Sequence, residues 1–219
     1  ASLRLSNSQY QFNIHYDAAS DRDFDVNYTI HETQLKLKVK YDYNTSHKLT
    51  YGTSLKAYSV NPGSINPKDN TSIIEPFTVP KEKALESAVF ISDKFDVSEK
   101  LVVNAGFRYS FYAALGNASP RRYTSGLPKN EGTVLDTLQF SNNQVIKTYG
   151  GPEARISTRY FLTPDLSLKA SFNKAFQFIH RLSNNTTASP TDAWKLSDNN
   201  IKPQEAIQAS LGIFKNTLN

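Results

Sequence analysis

The residues of this sequence that could bind a metal ion are scattered. The four histidines, His15, His31, His47 and His180, lie far apart, and none forms a pair at the spacing typical of metal ligands. Asp17, Asp21, Asp23 and Asp25 offer oxygen atoms, but they lack the spacing and the closing glutamate of a calcium loop. We therefore expect a solvated acidic loop here, no metal and no cofactor.

Catalytic groups are equally sparse. The chain contains 0 cysteines, which excludes a thiolate nucleophile and a disulfide framework. No Ser/His/Asp arrangement, phosphate-binding loop or paired-carboxylate motif stands out. The sequence is therefore expected to belong to a protein that is not an enzyme.

Two polar segments carry residue types that are enriched in ligand contacts. The candidates for substrate binding are Arg121, Arg122, Tyr123 and Trp194. Their positions in long loops favour a binding role, because binding residues gather on loops. The alternative for each is an exposed loop residue without a ligand.

A third group of functional candidates is basic. Lys36, Lys38 and Lys40 alternate with Leu35, Leu37 and Val39, so the lysines share one face of a strand. Arg108, Arg155 and Arg159 occupy equivalent polar positions on later strands, and Lys169 joins them. We predict that these side chains line a lumen that holds a polar plug. An ordinary solvated sheet face is the alternative.

The elements that must position these groups are strands. Alternation of apolar and polar residues predicts antiparallel strands near 5–16, 23–43, 48–60, 84–96, 101–113, 147–162, 166–177 and 204–215. Each run supplies the ~9–11 residues that a tilted strand needs to cross a bilayer. The apolar positions predicted to face lipid include Leu49, Val103, Phe107, Ile156, Leu168, Phe172, Leu211 and Ile213. Tyr41, Tyr43, Tyr160, Phe111 and Phe172 are expected near the membrane–water interfaces.

Loop lengths alternate along the chain. Tight links occur at 44–47, 96–100 and 163–165, and long polar segments at 61–83, 114–146 and 178–203. Short turns at one end and long loops at the other are typical of an outer-membrane β-barrel. A soluble antiparallel sheet with one wet face also alternates, and it remains the competing interpretation.

The apolar positions change parity in the second predicted strand. Phe24, Val26, Tyr28 and Ile30 are even-numbered, whereas the apolar residues from Leu35 to Tyr43 are odd-numbered. One inserted residue moves every later side chain to the opposite face, so a β-bulge is predicted near 31–34. Two separate strands joined by a short turn would explain the same pattern.

Composition limits the function classes. The chain has 219 residues, of which 38% are hydrophobic, and no run approaches the ~18 apolar residues of a transmembrane helix. The net charge of +5 is spread over many strands, which argues against nucleic-acid binding. No signal-peptide pattern follows Ala1, so a mature piece or a segment of a longer chain is expected.

Several segments, taken in order, resemble TonB-dependent outer-membrane receptors. They are AVFISDKF at 88–95 with LVVNAGFRYS at 101–110, PEARIS at 152–157 with LKASFNKAF at 168–176, and NIKPQ at 200–204 with SLG at 210–212. QFIHRLSN at 177–184 and PTDAW at 190–194 are similar to a loop of Bacteroidetes-type receptors, which carry a carboxypeptidase-regulatory-like N-terminal domain.

The resemblance implies an all-β, antiparallel up-and-down transmembrane β-barrel of 22 strands around a plug domain. About eight strands are present here, so residues 1–219 are expected to be an inner slice of that barrel, without the plug and the remaining strands. An independent eight-stranded barrel is the alternative. The implied partners are outer-membrane lipid or lipopolysaccharide, TonB through a missing N-terminal region, a transported small ligand and a surface lipoprotein.

The function expected from the resemblance is TonB-dependent uptake of a scarce nutrient (a siderophore, glycan or peptide) across the bacterial outer membrane. A small-barrel adhesin or a surface enzyme in the outer membrane is the alternative. The sequence does not select the transported substrate.

Overall fold

The computed structural model describes residues 1–17, 22–182 and 193–216, and strands dominate it. The long strands are β1 (Ser2–Tyr16), β2 (Phe24–Asp42), β3 (His47–Pro67), β5 (Glu82–Ser98), β6 (Leu101–Leu115), β9 (Val145–Phe161), β10 (Leu166–Gln177) and β13 (Gln204–Lys215). The short strands are β4 (Phe77–Thr78), β7 (Arg121–Tyr123), β8 (Val134–Thr137), β11 (Ile179–Leu182) and β12 (Ala193–Leu196), and a 3-10 turn spans Glu131–Thr133. All eight predicted strands are confirmed. The five short strands lie in the long loops and were not predicted.

The long strands form one antiparallel sheet in the order β1-β2-β3-β5-β6-β9-β10-β13, with β4 attached to β3. Each long strand pairs with the next long strand of the chain, so the topology is an up-and-down meander curved into a half-barrel. In the described part β1 and β13 do not pair with each other, so these eight strands do not close. This open sheet is consistent with a slice of a larger barrel.

The two faces of the half-barrel differ in chemistry. Directly paired residues point to the same side of a sheet, and the register Tyr51↔Ile91↔Phe107 runs along the convex face. Phe107 and Leu211 are 50% and 82% exposed there. The eight positions predicted to face outward all have convex parity: Leu49, Val103, Phe107, Ile156, Leu168, Phe172, Leu211 and Ile213.

The predicted β-bulge near 31–34 is wrong. β2 pairs without interruption with β1 from Lys38 to Phe24, and with β3 from Asp42 to Thr29. Its one irregularity lies nearer the long loops, between Asn27 and Thr29, in the pairing with β3. The apolar residues change parity because the apolar face itself changes. Near the short turns the convex side is apolar, and near the long loops the concave side is apolar. The expectation of one continuous strand is confirmed.

Among the residues that the structure describes, no helix combines the length and the apolar character that a membrane-crossing helix requires.

We expect a charge on the convex face to destabilise the protein much more than a charge on the concave face. Phe172 is convex and 41% exposed, whereas its neighbour Ser171 is concave and bonds to Ser210 at 2.7 Å between the two hydroxyl oxygens. Phe172→Arg should lower the free energy of unfolding by about 2–4 kcal/mol if residue 172 lies near the bilayer midplane. Chemical denaturation of the full-length protein in liposomes measures the change.

Ser171→Arg is the matched control, since it adds the same charge one residue away on the opposite face. Equal losses for the two variants would contradict the assignment of the convex face to lipid.

A second expectation concerns Gly52, which lies where the concave wall has no room for a side chain. A Cβ atom at Gly52 would collide with the carbonyl oxygen of Leu37 and lie 2.9 Å from Cζ of Phe90. Gly52→Ala should therefore destabilise the barrel by about 1–3 kcal/mol, as overpacking does elsewhere. Thermal unfolding of the full-length protein measures this. Gly132→Ala, whose Cβ meets only the Asn130 side chain at 3.4 Å, should leave the midpoint unchanged.

Candidate functional site

The lower concave wall, near the short turns, carries basic side chains without acidic partners. Lys36, Lys38, Lys40, Arg155 and Arg159, which we call the cationic belt, all have concave parity. Arg155 Nε donates to Asn173 Oδ1 at 3.3 Å, and Arg159 Nε donates to Ser167 Oγ at 3.1 Å. Lys36 Nζ lies 5.4 Å from the centroid of the Phe90 ring.

No carboxylate of the described residues forms an ion pair with any belt residue. Neutral groups contact Lys36, Arg155 and Arg159, and the positive charges of the belt have no carboxylate beside them among the described residues. A charge that is partly removed from water without a counter-charge is costly. The belt is therefore suited to receive acidic groups from outside this segment.

Arg108 shares this face but belongs to a different group. Arg108 Nη2 lies 3.0 Å from Glu86 Oε1, and Arg108 Nε lies 3.4 Å from Glu153 Oε1. Lys56 Nζ lies 3.7 Å from Glu32 Oε2 and 4.0 Å from Glu86 Oε2. These residues, Glu32, Lys56, Glu86, Arg108 and Glu153, form the glutamate network.

Hydroxyl groups complete the glutamate network. Tyr58 donates its hydroxyl hydrogen to Glu86 at 2.9 Å, and Ser110 donates to Glu153 in a short bond. Sequence reasoning grouped Arg108 with the lysines because its acidic partners lie on other strands. One feature of the sequence could have indicated this pairing, because Glu86 and Glu153 occupy polar positions of their own strands on the same face as Arg108.

A loop of the same chain covers the upper concave wall, near the long loops. β11 and β12 pair from Ile179↔Leu196 to Leu182↔Ala193, and we call these two strands with Phe178, Ser197 and Asp198 the inserted hairpin. Its Phe178 ring stacks on Tyr112 with centroids 4.6 Å apart, and Leu196 is 2% exposed. They join a buried cluster with Tyr58, Val60, Ala84 and Ala114 of the wall.

Polar contacts fix the inserted hairpin to the wall. Glu82 forms a short ion pair with Lys195 and accepts a hydrogen bond from the backbone N–H of Leu196 at 2.8 Å. Lys195 also lies 3.0 Å from Asp198. Burial by itself would lower the pKa of Lys195, but Glu82 and Asp198 together raise that pKa above its usual value, which keeps the lysine charged.

Wall tyrosines bind the backbone that follows β12. The hydroxyl of Tyr112 donates to the carbonyl oxygen of Ser197 at 2.8 Å, and that of Tyr149 donates to the carbonyl oxygen of Asp198 at 2.6 Å. His180 Nε2 and Ser197 Oγ lie 2.8 Å apart, and burial lowers the pKa of His180. The hairpin is thus held by both apolar burial and directional bonds.

The four loop residues nominated for substrate binding do not form one cluster. Arg121 pairs with Glu131 at 2.5 Å, and Arg122 binds Asp136 through two bonds of 3.0 and 2.6 Å. Trp194 packs, half-buried, against the cluster beneath the inserted hairpin. The two loops do touch, because Asn200 Nδ2 donates to the carbonyl oxygen of Arg121 at 3.1 Å. A role in substrate binding stays a prediction for all four.

Three possible metal-ligating side chains come together at the acidic segment after β1, and the sequence spacing did not reveal this. Potential ligand atoms of His15, Asp17 and Asp23 lie within 4.8 Å of one another. His15 Nδ1 is 2.8 Å from Asp25 Oδ1, and the ammonium of Lys68 is 2.8 Å from Asp23 Oδ2. Lys68 therefore already provides a positive charge for this group. Asp21 lies outside the described residues, and the expectation of no metal stays a prediction.

Comparison with known proteins agrees with this geometry. A family model described as TonB dependent receptor-like, beta-barrel matches residues 1–215. No curated protein matches the chain. The solved copper transporter OprC is similar, with a TM-score of 0.63 and 12% identity over 98% of this chain and 33% of that one. This low identity supports the fold alone.

A second solved structure is the ferric-catecholate import receptor Fiu from E. coli K12. It has a TM-score of 0.43 and 13% identity, covering 94% of this chain and 34% of that one, and a likeness at this level carries no argument. The present chain thus spans about a third of the length of each of the two structures.

Acidification should loosen the inserted hairpin, because docking favours neutral His180. The docked pKa lies below the usual value of 6.5, so docking is fully stable above 6.5 and weakens as the pH falls below it. Hydrogen–deuterium exchange at Leu196 and Ser197 in the full-length receptor, corrected for intrinsic rates, should be faster at pH 5.5 than at pH 7.5.

His180→Gln is the control, since glutamine retains a hydrogen-bonding side chain but does not titrate. Its corrected exchange should be the same at both pH values. If this variant loosens in acid as much as the wild type does, a group other than His180 is responsible.

Proposed function

This chain belongs to the TonB dependent receptor-like β-barrel family of the bacterial outer membrane, and we propose that it is part of a receptor that actively takes up a scarce nutrient. The observation that carries the proposal is the half-barrel with an apolar convex face and a charged concave face. The long loops face the outside of the cell, as in other barrels of the outer membrane. The receptor transports its substrate without chemical change.

The cationic belt is proposed as the docking surface for a plug domain supplied by another part of the receptor. Support comes from the contrast within the concave wall. Lys36, Lys38 and Lys40 have no acidic partner among the described residues, whereas Arg108 is paired with Glu86 and Glu153. Carboxylates of a plug would neutralise the belt. Arg108 faces the same lumen, and contact between Arg108 and the plug has to compete with the two glutamates.

Uptake requires partners that lie outside this segment. TonB is proposed to pull on the plug through an N-terminal region, which in the Bacteroidetes-type receptors includes a carboxypeptidase-regulatory-like domain. Lipopolysaccharide surrounds the barrel, and a surface lipoprotein is proposed as a further partner. Arg121, Arg122, Tyr123 and Trp194 are proposed to contact the substrate, which is a siderophore, a glycan or a peptide.

No observation favours the alternative of a small-barrel adhesin or surface enzyme. The eight long strands of the described part form an open sheet rather than a closed small barrel. The glutamates of the glutamate network are engaged in ion pairs and the belt contains no carboxylate, and neither arrangement resembles an acid–base pair with an open reaction site.

Reversing the charge of the belt should weaken the plug's attachment. In the triple variant Lys36→Glu, Lys38→Glu and Lys40→Glu, plug carboxylates would face like charges, which costs several kcal/mol at a close interface. Passive leakage of small solutes through the full-length receptor should rise, and TonB-dependent uptake should fall. Liposome swelling measures leakage, and nutrient-limited growth with and without TonB measures uptake.

The triple variant Lys36→Arg, Lys38→Arg and Lys40→Arg preserves every charge and should behave like the wild type. If the glutamate variant retains wild-type leakage and uptake, the belt is an ordinary solvated surface and does not dock a plug. Uptake that is independent of TonB in the wild type would overturn the transport proposal itself.

A further inference from the structure

The inserted hairpin lies inside the half-barrel, on the concave side of β3, β5 and β6. The wall residues beneath it are almost fully buried, with exposures of 0% for Val60, 1% for Ala84 and 2% for Tyr112. On the hairpin itself, Leu196 is 2% exposed and Ser197 is 0% exposed. Lifting the hairpin would return the apolar part of this surface to water, which opposes such a movement.

Groups of the wall also bind the backbone of the hairpin. Glu82 accepts a hydrogen bond from the N–H of Leu196 at 2.8 Å, in addition to its ion pair with Lys195. The hydroxyls of Tyr112 and Tyr149 donate to the carbonyl oxygens of residues 197 and 198 at 2.8 and 2.6 Å. Because the three wall residues bind main-chain atoms, they fix the path of the chain. A lifted hairpin would leave a carboxylate and two hydroxyls in need of new partners.

The two ends of the hairpin are joined to each other and to the neighbouring strands by short links. Phe178 follows directly after β10, and its carbonyl oxygen accepts a hydrogen bond from the N–H of Ser197 at 2.8 Å. At the other end, Asp198 Oδ1 accepts from the N–H groups of Asn200 and Ile201 at 2.7 and 2.9 Å. This closed turn leaves only a short connection to β13. Neither end provides a long hinge about which the hairpin could swing.

A second long loop holds the outgoing end of the hairpin. Lys129 Nζ donates to the carbonyl oxygen of Asn200 at 2.8 Å, and Asn200 Nδ2 donates to the carbonyl oxygen of Arg121 at 3.1 Å. Lys129 and Arg121 belong to the segment between β6 and β9, in which β7 and β8 pair with each other. Movement of this end would therefore break contacts with that segment as well as contacts with the wall.

We propose that the inserted hairpin is a fixed lining of the upper lumen, which stays docked on the wall while the substrate passes. It is then not a lid that lifts to admit the substrate. The inference rests on the proposed uptake function and adds one property to it, because the movements that uptake needs are assigned to other parts of the receptor. Since the hairpin occupies space inside the half-barrel, it narrows the passage at this height throughout transport.

Cysteine labelling during uptake tests whether the hairpin stays docked, since this segment has 0 cysteines. Leu196→Cys places a thiol at the contact between hairpin and wall. Leu135→Cys is the matched control, because Leu135 of β8 is 60% exposed. Both variants are made in the full-length receptor after any cysteine elsewhere has been replaced by serine. A maleimide that does not cross membranes is applied at pH 7.5 to cells that are taking up the limiting nutrient, and to cells without TonB.

The thiol at position 196 should react at least about tenfold more slowly than the thiol at position 135, because a buried group reacts only when it is locally exposed. The ratio of the two rates should be the same with and without TonB. If active uptake raises the rate at position 196 to that at position 135, the hairpin lifts during transport and the proposal is wrong. Ser197→Cys, a smaller change at a fully buried position, should give the same result as Leu196→Cys.

A reversible bridge between hairpin and wall provides an independent test. Glu82→Cys combined with Lys195→Cys replaces the ion pair by two thiols, and a bifunctional methanethiosulfonate reagent joins them across the gap that the shorter side chains leave. Uptake by the bridged receptor should equal uptake by the same receptor after dithiothreitol has removed the bridge. A loss of uptake that reduction restores would overturn the proposal. Glu82→Cys alone, treated with the same reagent, controls for modification without bridging.

Failure of this inference can be distinguished from failure of the proposed function. Uptake that is independent of TonB in the wild type would remove the proposed function, and labelling at position 196 would still show whether the hairpin is docked. Labelling at position 196 that is as fast as at position 135 in cells without TonB would overturn only this inference, because the hairpin would then be undocked even in the resting receptor.

Discussion

Unbroken backbone pairing along the long strands is the constraint on which the rest of the structure depends. Within hydrocarbon no water is available to satisfy an N–H or C=O group, so each strand has to be paired along the whole of its buried length. β2 meets this condition against β1 from Lys38 to Phe24 without a gap. One consequence is that the parity of each side chain is fixed over a distance longer than the bilayer is thick.

Fixed parity explains why polarity, and not register, changes along the strands. The odd-numbered residues of β2 contribute Leu35 and Leu37 to the lipid side and, farther up, His31 and Thr29 to water. The even-numbered residues contribute Lys36 and Lys38 and then Tyr28 to the concave side. A single bulge would have kept one apolar face throughout. The observed strand is instead apolar on its convex face near the short turns and apolar on its concave face near the long loops.

Much of the fold could be predicted from the sequence, because alternation and turn length are local properties. The eight long strands, their antiparallel order and the convex positions such as Phe107 follow from period-2 patterning. The pairing of Arg108 with Glu86 and Glu153 could not be read in this way, since it joins residues on three strands. The same limit applies to Phe178 and Lys195, whose loop pattern gives no sign that they dock onto Tyr112 and Glu82.

The concave wall has three levels, which differ in how many charges they carry and in how those charges are paired. At the lowest level the cationic belt has positive charge without acidic partners, and such a surface attracts acidic groups. Next, the glutamate network pairs each of its cations internally, as in the 3.0 Å contact between Arg108 and Glu86, and has little to offer a further ion. At the top, rings dominate, from Tyr112 beneath the inserted hairpin to the half-exposed Tyr10 on β1.

A wall of this kind separates two kinds of binding by height. An acidic protein surface gains most at the belt, where partly or fully exposed lysines lack acidic partners among the described residues, and least among the rings. A neutral ligand gains most among the rings, where apolar area leaves water, and nothing from the belt. The glutamate network between them pairs its cations internally, so it offers little to either occupant. The proposed plug and the proposed substrate would then occupy one lumen without competing for the same residues.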